Sequence, residues 1–122
     1  MYRYWTLWVE LWSRALRNTE AARKREALDR RWRNTIADVV RGGQRTGEFG
    51  ACDPDRFATY LAALMDGLTL QVLLRDSEVD SELLREVCLD AAARKLGFEL
   101  EEVEQRSREA HAGKHTGLTA ER

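Results

Sequence analysis

Tyr4-Trp5-Thr6-Leu7-Trp8-Val9-Glu10-Leu11-Trp12 is the stretch that decides the fold. Its tryptophans recur three and four residues apart, the spacing at which side chains line one face of an α-helix. Extended from Tyr2 to Arg17, the register puts Trp5, Trp8, Leu11, Trp12, Ala15 and Leu16 on one side and Glu10, Ser13, Arg14 and Arg17 on the other. An indole is costly to leave in water, so a face this aromatic must be covered. A core, a small apolar ligand, a partner chain and a membrane surface are the available covers.

Downstream the same period continues. Asn18-Thr19 offers a helix cap, with Glu20 in the first turn where a carboxylate suits the helix dipole. From about Thr19 to Thr46, Leu28, Trp32, Ile36, Val39 and Val40 form a narrow apolar stripe, and six arginines and lysines between Arg23 and Arg33 fill the other faces. Gly42-Gly43 weakens this helix by about 1 kcal/mol per glycine, whereas Gly47 is placed to stop it and let Phe49 fold back onto its end. Asp53-Pro54 then opens a third helix, an acidic cap followed by a proline that loses no helical hydrogen bond at the first position. That helix runs to about Arg75 and is apolar on more than one side, which calls for neighbours on several sides, another subunit among them. A fourth helix, about Asp80 to Leu96, ends at Gly97 with Phe98 behind it. Its small residues Cys88, Ala91 and Ala92 permit close approach of another helix. Glu99 to Arg122 is polar, helical in part to about Ala112 and otherwise a mobile tail. The expectation is all-α: four main helices in an antiparallel bundle, with the last two long helices available for a dimeric four-helix interface. Residues 1–98 make one domain and 99–122 a tail.

Composition narrows the function classes. The 122 residues are 43% hydrophobic and 34% charged with a single proline, as expected of one soluble helical domain. The net charge of −1 argues against a dedicated nucleic-acid binder, although residues 1–47 carry 11 Lys/Arg against 5 Asp/Glu and residues 48–122 carry 9 against 16. The basic run at Arg23 to Arg33 is interleaved with Glu20, Glu26 and Asp29 at ion-pairing intervals and lacks an exposed aromatic to stack on bases, so it reads as a solvated helix face. There is no secretory signal and no apolar run long enough to span a bilayer, which places the chain in the cytoplasm. Cys52 and Cys88 lack metal-type spacing and read as reduced thiols. His111 and His115 are spaced for a helical metal site, but Gly113 lies between them and no third ligand is near, so no metal and no cofactor are expected. Gly42-Gly43 is not followed by a Lys-Ser/Thr pair, and no catalytic constellation is present. The chain is not expected to be an enzyme. Asp66-Gly67, in the middle of the greasy third helix, places a carboxylate where it must be exposed or paired, against ligand, partner helix or solvent.

Four short patterns then fall in register: the tryptophan-rich helix Tyr4 to Trp12, Trp32-Arg33-Asn34-Thr35-Ile36, Gly43-Gln44-Arg45-Thr46-Gly47-Glu48-Phe49 and Leu64-Met65-Asp66-Gly67-Leu68. Together, over about Tyr2 to Leu100, they resemble the C-terminal regulatory domain of TetR-type transcriptional repressors. The resemblance implies a homodimeric all-helical domain that binds a small hydrophobic or aromatic effector between its helices. It makes Trp5, Trp8, Trp12, Trp32, Ile36, Leu61 and Met65 candidate pocket residues. It makes Leu68, Val72, Leu83, Val87, Cys88, Ala91 and Ala92 candidate dimer contacts. The helix-turn-helix head of such repressors is missing from this sequence, so direct DNA contact does not carry over to these residues. Two alternatives share the same helices: an interaction subunit that pairs with full-length repressors, and a small-molecule-binding bundle with no role at DNA. A membrane-surface role for the first helix is disfavoured by Glu10 and by the other apolar helices, which need burial of their own.

Overall fold

The computed structural model describes residues 2–116, which form five helices with no strand among the described residues. They are α1 (Tyr2–Ala15), α2 (Thr19–Thr46), α3 (Pro54–Leu73), α4 (Ser81–Leu96) and α5 (Leu100–Thr116). The helix starts follow the caps. Asn18 accepts hydrogen bonds from the backbone N–H groups of Glu20 and Ala21 at 2.9 and 3.1 Å. Asp53 accepts from Asp55 and Arg56 at 3.1 and 3.3 Å, with Pro54 next to it, and Asp80 accepts from Leu83 at 2.8 Å. Each satisfies donors that the first turn of a helix leaves without an internal partner.

The stops are equally local. Gly47 (φ 80°) and Gly97 (φ 72°) take the left-handed conformation that ends α2 and α4. After Gly47 the chain turns back, and the Phe49 N–H donates to the Gly43 carbonyl at 3.0 Å. Gly42 and Gly43 do not interrupt α2. A β-carbon at Gly43 would overlap the Cδ2–Cε2 edge of the Phe49 ring, so the glycine makes room for that ring. Gln44 pins the following loop, its Nε2 donating to the carbonyls of Gly50 and Cys52, both at 3.1 Å. The N–H of Gly50 donates to the Leu96 carbonyl at 2.7 Å and ties that loop to the end of α4.

α2 is the central helix, packed on α1 and α3, while α4 packs on α3 and α1 touches α3 lightly. The core sits where the second half of α2 meets the start of α3 and the end of α4. Val40, Phe57 and Leu96 are buried there, surrounded by Ile36, Phe49, Cys52, Leu61, Ala92 and Phe98. Buried alanines, Ala37 on α2 and Ala58 and Ala62 on α3, let these helices approach closely. The polar segment after Phe98, expected to be helical in part to about Ala112, forms α5 as far as Thr116; this helix touches α4, and its residues 101–114 are all exposed. The four main helices expected are α1 to α4, α5 adds a fifth, and residues 117–122 of the expected tail lie outside the described residues.

Candidate functional site

Away from the core, α1, the first half of α2 and the middle of α3 diverge around a cavity of about 240 Å³ lined by Trp5, Trp8, Asp29, Trp32 and Asp66. Each wall has a helical reason. Trp5 and Trp8 are one turn apart on the inner face of α1. Asp29 and Trp32 are likewise one turn apart on α2, and Asp66 comes from α3. Trp8 is steadied from behind by Trp12, whose ring centroid lies 6.4 Å away at an interplanar angle of 52°. Trp32 stands at the rim, 46% exposed.

The two carboxylates differ in their surroundings. Asp29 is anchored by Arg25 one turn earlier, with Arg25 Nη1 to Asp29 Oδ2 at 2.6 Å. Asp66 has no hydrogen-bond or salt-bridge partner among the described residues. Burial pushes its carboxyl above the ordinary carboxylate range, the negative charge of Asp29 adds to the rise, and Arg25 and Arg33 oppose it. Three aromatic faces and an unpartnered carboxylate in one small cavity attract positive charge and repel anions.

A second cavity of about 320 Å³ lies between α1, α3 and α4, and Trp5 is a wall of both. Its lining is apolar at Met65, Val72, Leu73 and Leu84, with Thr69, Cys88, Ser81 and Arg85 completing it. Burial pushes the Cys88 thiol up, so the group stays neutral and contributes no charge there. Two larger clefts, of about 370 and 460 Å³, include Arg56 with Lys95 and Glu102 with Arg106, and are edged by exposed charges of both signs.

The structure distributes the seven expected pocket residues among four places. Trp5, Trp8 and Trp32 meet at the aromatic cavity, and Met65 lines the apolar one beside it. Trp12 lies behind Trp8, against Ala15 and Ala22, and its Nε1 is buried without a hydrogen-bond partner in the structure. Ile36 and Leu61 pack on the core cluster. Of the expected dimer contacts, Val72 and Cys88 line the apolar cavity, Ala91 is buried and Ala92 packs on the core. Leu68, Leu83 and Val87 are half-buried. Asp29 was not among the expected site residues. Its signal was present as a carboxylate one turn before a tryptophan, but the ion-pair spacing to Arg25 accounted for it.

Among the described residues no group of three His, Cys, Asp or Glu side chains is placed to hold a metal, and no helix is long and apolar enough to cross a membrane. The all-helical architecture is the one expected of the C-terminal regulatory domain of a TetR-type transcriptional regulator. Residues 3–97 match the model of the BetI-type transcriptional repressor C-terminal domain, and the chain belongs to that family, one of regulators rather than of enzymes. None of the curated proteins gives a significant match. Among solved structures the chain is similar to a protein from Saccharomonospora viridis described as a transcriptional regulator and crystallised in complex with choline. The TM-score is 0.71 and the identity 31%, over 76% of this chain and 48% of that one. The chain thus spans about half the length of that relative.

Proposed function

We propose that these residues are the effector-sensing and dimerisation domain of a BetI-type repressor, and that the cavity of Trp5, Trp8, Trp32, Asp29 and Asp66 takes a small quaternary ammonium cation, choline or a close relative. The observation that carries this reading is the convergence of three indoles and two carboxylates on one cavity of about 240 Å³. Methyl groups on a positive nitrogen are apolar enough to sit against indole faces, and the charge they spread is attracted to the rings by about 0.5–2 kcal/mol at each well-placed face. The choline held by the Saccharomonospora viridis relative supports the same ligand class. A neutral apolar effector, the ligand class implied by the resemblance, would leave the Asp66 carboxylate without a hydrogen-bonding or ion-pairing partner inside the cavity.

Such a cation would touch α1, α2 and α3 together. Its leverage is its differential affinity: it favours whichever arrangement of these helices closes the rings around it, and by no more than that preference. In the assembled regulator, a shift of these helices would alter the spacing of two DNA-binding heads in a cytoplasmic homodimer. The dimer would form through α3 and α4, where Leu68, Leu83 and Val87 remain half-buried. A β-carbon at Gly67 would meet nothing within 4 Å, which leaves α3 open to a close helix there.

Titration with tetramethylammonium chloride, followed by tryptophan emission against potassium chloride at equal ionic strength, tests the ligand. A saturable change that weakens in Trp8→Ala is expected, and a response identical to that of potassium contradicts the reading. Light scattering on a sizing column tests assembly, and a clean monomer at micromolar concentration contradicts the dimer.

A further inference from the structure

Trp5 is a shared wall. It lines both the cavity of about 240 Å³ that contains the two carboxylates and the apolar cavity of about 320 Å³, and among the described residues no other is common to the two linings. On α3 the two linings draw on consecutive residues, Asp66 in the first and Met65 in the second. Trp5 sits in the first turn of α1, a helix that touches α3 only lightly. Rotation of an aromatic side chain between staggered wells needs no backbone change. With Trp5 turned aside, a molecule seated at Asp66 can continue past Met65 toward Val72 and Leu84.

The two compartments differ in chemistry as two halves of one amphipathic molecule would. The first is rich in π faces and negative charge. The second has no acidic side chain in its lining, and its only charged member, Arg85, is exposed and has no salt-bridge partner among the described residues. A cation is therefore drawn to one end and discouraged at the other.

We propose that the two cavities are the head and tail compartments of a single site, and that its preferred ligand is a trimethylammonium group bearing an aliphatic or aryl arm several carbons long. This rests on the cation reading of the aromatic cavity. Arg85 adds a selection rule: an arm that ends in a second ammonium is rejected, and an arm that ends in a methyl, hydroxyl or carboxylate is accepted.

Calorimetric titration of the full chain with tetramethylammonium, butyltrimethylammonium, hexyltrimethylammonium and hexamethonium tests it. Each methylene that enters the apolar compartment should tighten binding about threefold, so hexyltrimethylammonium, with five more, should bind about two-hundredfold more tightly than tetramethylammonium. Hexamethonium, equal in arm length but charged at both ends, should lose most of that gain. In Cys88→Phe, which fills the tail compartment, the ratio of hexyl to methyl affinity should fall toward one. The wild-type series stands on its own if that variant does not fold. A flat series in which every member binds like tetramethylammonium overturns the tail compartment and leaves the cation reading intact. Failure of tetramethylammonium to bind at all, or hexan-1-ol binding as tightly as hexyltrimethylammonium, overturns both.

Discussion

Replacing Gly43 with alanine should destabilise the protein although the position lies inside a helix, and the neighbouring Gly42→Ala should do the opposite. An alanine in a helix interior is worth about 1 kcal/mol over glycine, and at Gly42 nothing opposes that gain. The nearest atom to a β-carbon there is the tip of Arg45 at 3.8 Å. At Gly43 the same β-carbon falls among Cδ2, Cε2 and Cγ of Phe49, the last at 2.7 Å, so the ring must leave. Phe49 packs on the core cluster and faces Phe98 at 5.7 Å between ring centroids. Withdrawing a phenylalanine from such a position costs about 1.5–3 kcal/mol in burial, and losing its aromatic neighbour about 0.5–1.5 more. Against the helical gain, Gly43→Ala should cost about 1–3 kcal/mol net, a fall in Tm of about 4 °C per kcal/mol for a chain of this size. Paired thermal and urea melts by circular dichroism measure both variants. In a Phe49→Ala background the sign at Gly43 should reverse, since the ring that objects is gone. If Gly42→Ala and Gly43→Ala raise the Tm alike in the wild-type background, the account of how α2 ends and positions the loop to α3 is refuted.

Asp66→Asn should make the unliganded protein more stable at neutral pH while lowering affinity for tetramethylammonium by on the order of tenfold to a hundredfold. The sign follows from burial. Because the folded state holds this proton more tightly than the unfolded chain, stability falls as pH rises from the ordinary aspartate range through the raised folded value, and the asparagine removes that loss. The advantage of Asp66→Asn in urea melts should vanish toward acid pH, and wild-type cation affinity should decline as pH drops through the same window. Trp32→Ala separates a binding role from a core role. With 46% of the residue exposed, the variant should lose far less stability than the about 3–5 kcal/mol expected for a core tryptophan, while calorimetry should show a loss of cation affinity of about twofold to thirtyfold. Arg75→Gly should stabilise by about 0.5–1 kcal/mol in the same melts, because Arg75 holds φ 58° at the end of α3, a conformation that costs any residue with a β-carbon.

Caps and stops were legible because they are local chemistry. Asn18, Asp53-Pro54, Gly47 and Gly97 each act on backbone groups within a few residues of themselves, and each acts as its type and position imply. What the sequence concealed depends on distance. Gly43 looks like a weak point in α2 until Phe49 is folded back over it. Trp32, Ile36 and Val40 lie on a single stripe, but a helix of 28 residues is about 42 Å long, so the stripe meets the cavity at Trp32 and the core at Ile36 and Val40. Period alone marks the face and not the place along the axis. The pairing of Asp29 with Asp66 depends on the rotation of α2 against α3, which no local pattern encodes. The extent of α5 was obscured for a different reason: with apolar side chains only at its start, its sequence lacks the stripe by which a helix is read.

The central claim is that the cavity at Asp66 recognises charge as well as shape. Choline and its uncharged carbon counterpart, 3,3-dimethylbutan-1-ol, have nearly the same outline and differ by a positive nitrogen in place of carbon. Calorimetric titration of the protein with the two, side by side at low ionic strength, isolates that difference. Choline should bind at least tenfold more tightly, equivalent to about 1.4 kcal/mol, and the gap should narrow as salt is added. Equal affinities for the cation and the alcohol would contradict the assignment of the indoles and carboxylates to an ammonium ligand.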